Sequence, residues 1–331
     1  MSDFDGIRSD LGIWLKSECP NIQSPQGNEK SHPTILKDLQ KQVDKTRLKK
    51  HVMELAAIGE RATYSIDTAK IDQARDYIMH TLFKSGYPRR AVCLQKFNLE
   101  RLGSHSPIVA SNIILRIPGK KLPEKRVILG AHYDCVHGPG ANDNATGVAA
   151  LLETARILAK HTFDYTIEFV FFTGEELDYV GSKFYISQLN DADKKNIVGV
   201  FIADMLGNNQ LPGESAEEED LDLFFDSADS KALACSAKHT IESNLAGVDI
   251  VISNPLIRLL ELMGGNSDNK EFESIGIPAV LFIEDSNFGL DKNPYMNSSN
   301  DIPKNIDFDN FFPKAVRAIL ISVASLAKIK R

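Results

Sequence analysis

One loop limits what this chain can fold into more than any other feature. Residues 131–147 read AHYDCVHGPGANDNATG, and they follow the apolar run RVILGA at 126–131. That run is short and uncharged after its first residue, so it reads as a strand buried in a sheet. Residues 147–158 read as a helix. A histidine with several acids and amides therefore sits where a buried strand gives way to a helix. In open α/β sheets the ligand crevice lies beyond the carboxyl ends of the strands. A His and acids gathered there have the chemistry of a metal site. The plainer reading is turn chemistry, since Asn, Asp, Gly and Pro also build loops. This stretch alone does not decide between the two.

Three further stretches share its form. Residues 167–172 (IEFVFF) are apolar except for Glu168, and Gly174-Glu175-Glu176 follows closely. Paired acids on a helix surface usually mean nothing. At a strand end they can divide labour, one binding a cation while its neighbour serves as general base. Residues 197–203 (IVGVFIA) close on Asp204, whose plainer reading is a helix cap or turn. The fourth stretch, SDNKEFESIGIPAVLFIED from Ser267, is followed by NPYMNSSND at 293–301.

The apolar runs at 127–130, 167–172, 198–203 and 279–283 read as buried strands with helices between them. That pattern predicts an α/β fold with a mostly parallel, mixed sheet covered by helices on both faces. Residues 91–97 and 111–117 read as strands, paired antiparallel. Helices are expected at 43–58, with Leu48, Val52, Leu55 and Ala56 on the apolar face, and at 71–84, with Ala74, Ile78, Leu82 and Phe83. A last helix is expected at 311–327. At the start, Phe4, Ile7, Leu11, Trp14 and Leu15 fit one face of a short amphipathic helix, and 18–34 reads as a polar linker. The motifs spread from 132 to 301 must converge. The chain therefore divides into an N-terminal helix and linker, 1–42, and a single catalytic domain, 43–331.

In order and spacing the four stretches resemble the di-zinc aminopeptidases of metallopeptidase family 28. That family includes bacterial leucyl aminopeptidases, glutamate carboxypeptidases and glutaminyl cyclases. The similarity runs from about Val43 to the end of the chain. It implies a zinc exopeptidase architecture of the phosphorylase/hydrolase-like kind, and zinc as cofactor at one or two ions per chain. His132 would bind one metal, and Asp134 would hold the other nitrogen of its imidazole. Asp143 would bridge two metals. Asp204 would bind the first metal and Glu176 the second. Glu175 would be the general base. The implied activity is hydrolysis of N-terminal peptide bonds, with a peptide or small aminoacyl compound as substrate.

The chain departs from the family pattern in two places. Relatives read Ser-Asp-His where this chain has Ser267-Asp268-Asn269. The family's C-terminal His falls on Asn297, and no histidine follows His239. One half-site thus keeps His132, Asp143 and Asp204. The other keeps Asp143 and Glu176, with only the amide of Asn297 in reserve. An amide oxygen is a harder ligand than imidazole and suits calcium, magnesium or manganese better than zinc. The second site is expected to be weak or to hold another divalent metal. Two other activities fit the resemblance less well. A glutaminyl cyclase-like acyltransferase would use the half-site this chain has lost. A binding protein on a decayed peptidase fold would not be expected to keep Glu175 and the other acids.

Composition sets outer bounds. Hydrophobic residues make up 43% of the 331, ordinary for a globular core. A formal net charge of −7 argues against a nucleic-acid partner. The acids cluster at 214–222 (ESAEEEDLD), which reads as a solvated loop; a charge filter for basic substrates is the sharper reading. Cys19, Cys93, Cys135 and Cys235 show no CxxC spacing, so neither a disulfide framework nor a structural zinc site is suggested. No run approaches the roughly 18 apolar residues of a membrane helix. The start carries Asp3 and Asp5 and reads as no signal peptide. The expected location is the cytoplasm, or outside it by a route that needs no cleaved signal.

Overall fold

A computed structural model describes residues 33–63, 65, 68–99, 108–208, 220–252, 267–284 and 293–330. The expected helix at 4–15, Cys19 and most of the 18–34 linker lie outside these residues. In chain order the strands are β1 (Val92–Leu99), β2 (Ile108–Ile117), β3 (Leu122–His132), β4 (Thr162–Phe163), β5 (Tyr165–Phe172), β6 (Ile197–Ala203), β7 (Asp220–Phe224), β8 (Asp249–Ile252), β9 (Ala279–Glu284) and β10 (Ile329–Lys330). Eight of them form one sheet in the order β1-β2-β5-β3-β6-β9-β7-β8, and β4 pairs with β10. The middle four, β5, β3, β6 and β9, run parallel. The pairs β1/β2, β2/β5 and β7/β9 are antiparallel. The sheet is mixed with a parallel centre, as the run of apolar strands and helices predicts.

Side chains on the central strands alternate between two cores, because successive residues of a strand point to opposite faces. Val127, Leu129, Phe169, Phe171, Phe201, Val280 and Phe282 pack on one side with the helices Lys45–Ile58, Ala145–Leu158 and Phe311–Leu326. Ile128, Val170, Phe172, Val200, Ile202 and Leu281 pack on the other, with Tyr185, Ile186 and Phe272. Both faces being covered, these strands read as continuous apolar runs. The exception, Glu168, is fully buried in β5. It accepts from Arg116 at 2.6 Å and from the Tyr185 hydroxyl. A buried carboxylate is tolerable only when paired in this way.

Three sequence expectations change. A helix at Pro33–Gln40 puts Leu36 and Leu39 into the main core beside the helix Phe311–Leu326, so packed structure begins before residue 43. The last residues of the acidic run are strand, not solvated loop: β7 buries Leu221, Asp222 and Leu223. Strand β8 and the helix Ala228–Asn244 extend the sheet side beyond what the apolar runs marked. Cys93 and Cys135 are free, as the absence of a CxxC spacing suggests. Among the described residues no helix is long and apolar enough to cross a membrane.

Candidate metal centre

Three neighbouring parallel strands end side by side, and the candidate residues stand at those ends. β3 ends on His132 itself. β5 ends at Phe172, and the chain turns at Gly174 before Glu175. Gly174 has φ +76, and a Cβ there would meet Val180 Cγ2 at 2.3 Å. Only glycine makes that turn without strain. β6 ends at Ala203, and the Asp204 amide still donates to Phe282 O on β9 at 3.1 Å. Asp143 comes from the loop between β3 and the helix Ala145–Leu158. Asn144 anchors that loop: its side chain accepts from Gly147 N at 2.8 Å and donates to Ala203 O at 2.9 Å.

The result is a cluster around one imidazole. His132 Nε2 lies 3.3 Å from Asp143 Oδ1, 3.3 Å from Asp204 Oδ1 and 4.0 Å from Glu175 Oε2. Ligand atoms of His132, Glu175 and Asp204 all fall within 4.8 Å of one another. On its other side, Nδ1 is 3.5 Å from Asp134 Oδ1 and 3.2 Å from the Asp134 carbonyl. Asp134 also accepts from Glu175 N at 3.3 Å, so one carboxylate orients both the imidazole and the adjacent acid. With Nδ1–H directed at Asp134, Nε2 presents a lone pair to the carboxylates.

Whether these residues fit a metal is decided by their orphaned atoms. His132 Nε2, Asp204 Oδ1 and Glu176 Oε1 are buried without a hydrogen-bond partner. Buried polar atoms are nearly always satisfied, and a lone pair facing acceptor oxygens is satisfied by a cation. The donor set of one imidazole and carboxylates suits zinc. Like charges crowd the site. Burial, then Asp143, pushes the Glu176 carboxyl up to about 9. Burial raises Glu175 well above the ordinary carboxyl value despite His132, and it raises Asp143 as well. Without a cation, burial would lower His132, but the charges of Asp204 and Glu175 outweigh it and raise the imidazole well above its usual value, so that a proton stands on Nε2 in the place a cation would take.

The other half is sparser. Glu176 stands beside Asp143, but Asn297 is exposed on a turn with φ 50. Three groups that sequence reasoning left without a role also emerge. Asp268 is fully buried with both oxygens unpartnered, and burial pushes its carboxyl up to about 7. Arg61 and Asp301 are buried and grip the loop that carries Asp143. Asp268 lies in a quoted stretch, so its segment was visible. Asp301 closes the stretch at 293–301 and was equally visible, but it and Arg61 bind backbone atoms, which leave no signal of that role in residue types.

The profile of Peptidase family M28 matches residues 112–312. A "probable zinc metalloprotease" of Pyricularia oryzae is 28% identical over 281 residues, covering 78% of this chain and 55% of that protein. Aminopeptidase YwaD of Bacillus subtilis is 32% identical over 158 residues, 47% of this chain and 31% of its own length. The chain thus spans about half or less of either relative. Among solved structures, the Legionella pneumophila LapA aminopeptidase superposes with a TM-score of 0.69 at 22% identity, over 93% of this chain and 78% of that one. A glutaminyl cyclase of Fimbriiglobus ruber gives 0.63 at 16% identity, over 85% of this chain and 95% of that one. At such identities the structural likeness is one of fold.

Proposed function

Because the chain belongs to peptidase family M28, we propose that it hydrolyses N-terminal peptide bonds, with zinc held by His132, Asp143 and Asp204. The observation that carries this reading is the unpartnered His132 Nε2, set 3.3 Å from an oxygen of each of those two acids. When bound, zinc supplies Lewis acidity, lowering the pKa of water and polarising a carbonyl. The rest falls to the protein. Glu175 takes the proton of the attacking water and returns it to the leaving amine. Its side chain is 12% exposed, enough to meet a substrate yet sheltered from bulk water. Asp134 keeps the imidazole in the tautomer that leaves Nε2 free. The site's carboxylates would receive the positive α-amino group of the substrate.

Glu176 and Asp143 offer the second position two carboxylates and no imidazole. We infer one tight zinc and, at most, one weak site better suited to a harder divalent ion. The catalytic unit on this reading is single and includes the helix Pro33–Gln40. The test is metal content per chain after purification, paired with hydrolysis of aminoacyl para-nitroanilides. The expected result is about one tightly held zinc, with activity lost to a chelator and restored by zinc. A protein that binds no zinc and cleaves none of these substrates would overturn the proposal.

A further inference from the structure

Most of the loop between His132 and Asp143 is buried, His137 to Pro139 apart, and its buried backbone groups need partners from outside it. Two oppositely charged side chains, remote in sequence, supply them. Arg61, fully buried at 1% exposure, takes the carbonyls. Its Nε donates to Tyr133 O at 2.9 Å, Nη1 to Pro139 O at 2.6 Å and Nη2 to Gly140 O at 3.0 Å. Asp301 takes the amides. Its Oδ1 accepts from Asn142 N at 2.7 Å and its Oδ2 from Asp143 N at 3.0 Å, while its carbonyl accepts from Ala141 N at 3.2 Å. The guanidinium holds carbonyls from Tyr133 to Gly140, and Asp301 holds the three successive amides from Ala141 to Asp143.

Asn142 carries the grip further. Its amide donates to Glu284 Oε1 at 2.7 Å, and its Oδ1 accepts from Gly207 N at 2.8 Å. Glu284 in turn accepts from Asn293 Nδ2 at 2.8 Å and Asn208 N at 2.5 Å. The Asp143 loop, the segment after Asp204 and the C-terminal segment therefore meet at one residue, next in sequence to Asp143.

We propose that Asp301 is the positioning residue for Asp143, fixing its carboxylate opposite His132 and so setting the affinity of that site for zinc. Both oxygens of Asp301 are committed to consecutive amides, a bidentate grip that fixes orientation as well as position. The proposal rests on the reading of His132, Asp143 and Asp204 as a zinc site.

The test uses the full chain. In Asp301→Asn one acceptor becomes a donor facing an N–H, so one hydrogen bond is lost and buried donors are left opposed. Zinc affinity, measured by competition with a chromophoric chelator, is expected to fall at least tenfold, with saturating zinc restoring most of kcat and KM little changed. Leu82→Ala, a core truncation on the helix Ala69–Lys84, is the control. It should lower Tm and leave zinc affinity within twofold of wild type. Affinity in Asp301→Asn within twofold of wild type would overturn the proposal, and so would an equal loss in both variants. A second measurement needs no variant. In the metal-free wild type, the amides of Asn142 and Asp143 should be protected from hydrogen exchange; exchange at the rate of open loop amides would overturn the proposal as well. If wild type binds no zinc, the zinc-site reading fails, while the exchange experiment still reports on the grip itself.

Discussion

Each residue of the cluster has a task set by what lies on its two sides. His132 turns one nitrogen to Asp134 and the other to the acids, so Nδ1–H is committed to Asp134 before any ligand arrives. Glu175 has its backbone tied to Asp134 and its carboxyl 4.0 Å from the imidazole. Glu175→Gln keeps the shape and removes the base. Hydrolysis of aminoacyl para-nitroanilides should drop by about 10² to 10⁴ while zinc content stays at the wild-type level; near-normal turnover would show that another group takes the proton. Asn297→His returns an imidazole to the C-terminal segment. Zinc binding at the Glu176 side should strengthen, read by chelator competition, and manganese should gain less. Unchanged affinity would mean that position 297 does not face the metal. The proposed ligands were legible in the sequence because nearly every one follows an apolar run. The grip of Arg61 and Asp301 was not, although Asp301 closes the stretch at 293–301, since both satisfy main-chain atoms that every residue possesses.

At the scale of elements, close approach between helix and sheet brings the loops together. The helix Ala145–Leu158 starts against the end of β6, and Gly147 is the point of contact. A Cβ there would meet Ala203 O at 2.3 Å and Asn144 Oδ1 at 2.4 Å. Gly147→Ala should destabilise by about 1–3 kcal/mol, the usual range for overpacking. Its signature should be a lower denaturant midpoint with an unchanged slope; a midpoint equal to wild type would show that the helix end can shift freely. The central strands were legible because burial on both faces makes them uniformly apolar. β7 was overlooked because acids surround it, although Asp220-Leu221-Asp222-Leu223 alternates with the period of a strand. The helix Pro33–Gln40 has only eight residues. Its burial depends on the distant helix Phe311–Leu326, a tertiary fact that no local pattern encodes.

For the whole molecule, acid stability is a sharper probe than heat. His51 is buried in the helix Lys45–Ile58, with Nδ1 2.7 Å from the Tyr77 hydroxyl. Burial, and then the charge of Arg47, lowers its imidazole from 6.5 to about 4. Between those values the unfolded chain takes up a proton that the native chain refuses. Stability therefore falls as pH drops through that window, by up to roughly 1.4 kcal/mol per pH unit. His51→Gln should flatten this limb by about one proton, measured as Tm against pH from 6.5 to 4. Equal slopes in both proteins would show that His51 does not carry the effect. The parallel pairing of β5, β3 and β6 also fixes when the site can come into being. Parallel neighbours must be joined by crossovers, and pairing over long sequence separations is slow. His132 and Asp204 meet only once β3 has found β6, and Asp143 is pinned only once residue 301 has arrived. No half-made chain can assemble this cluster, so the capacity to capture zinc is a late product of folding and not its template.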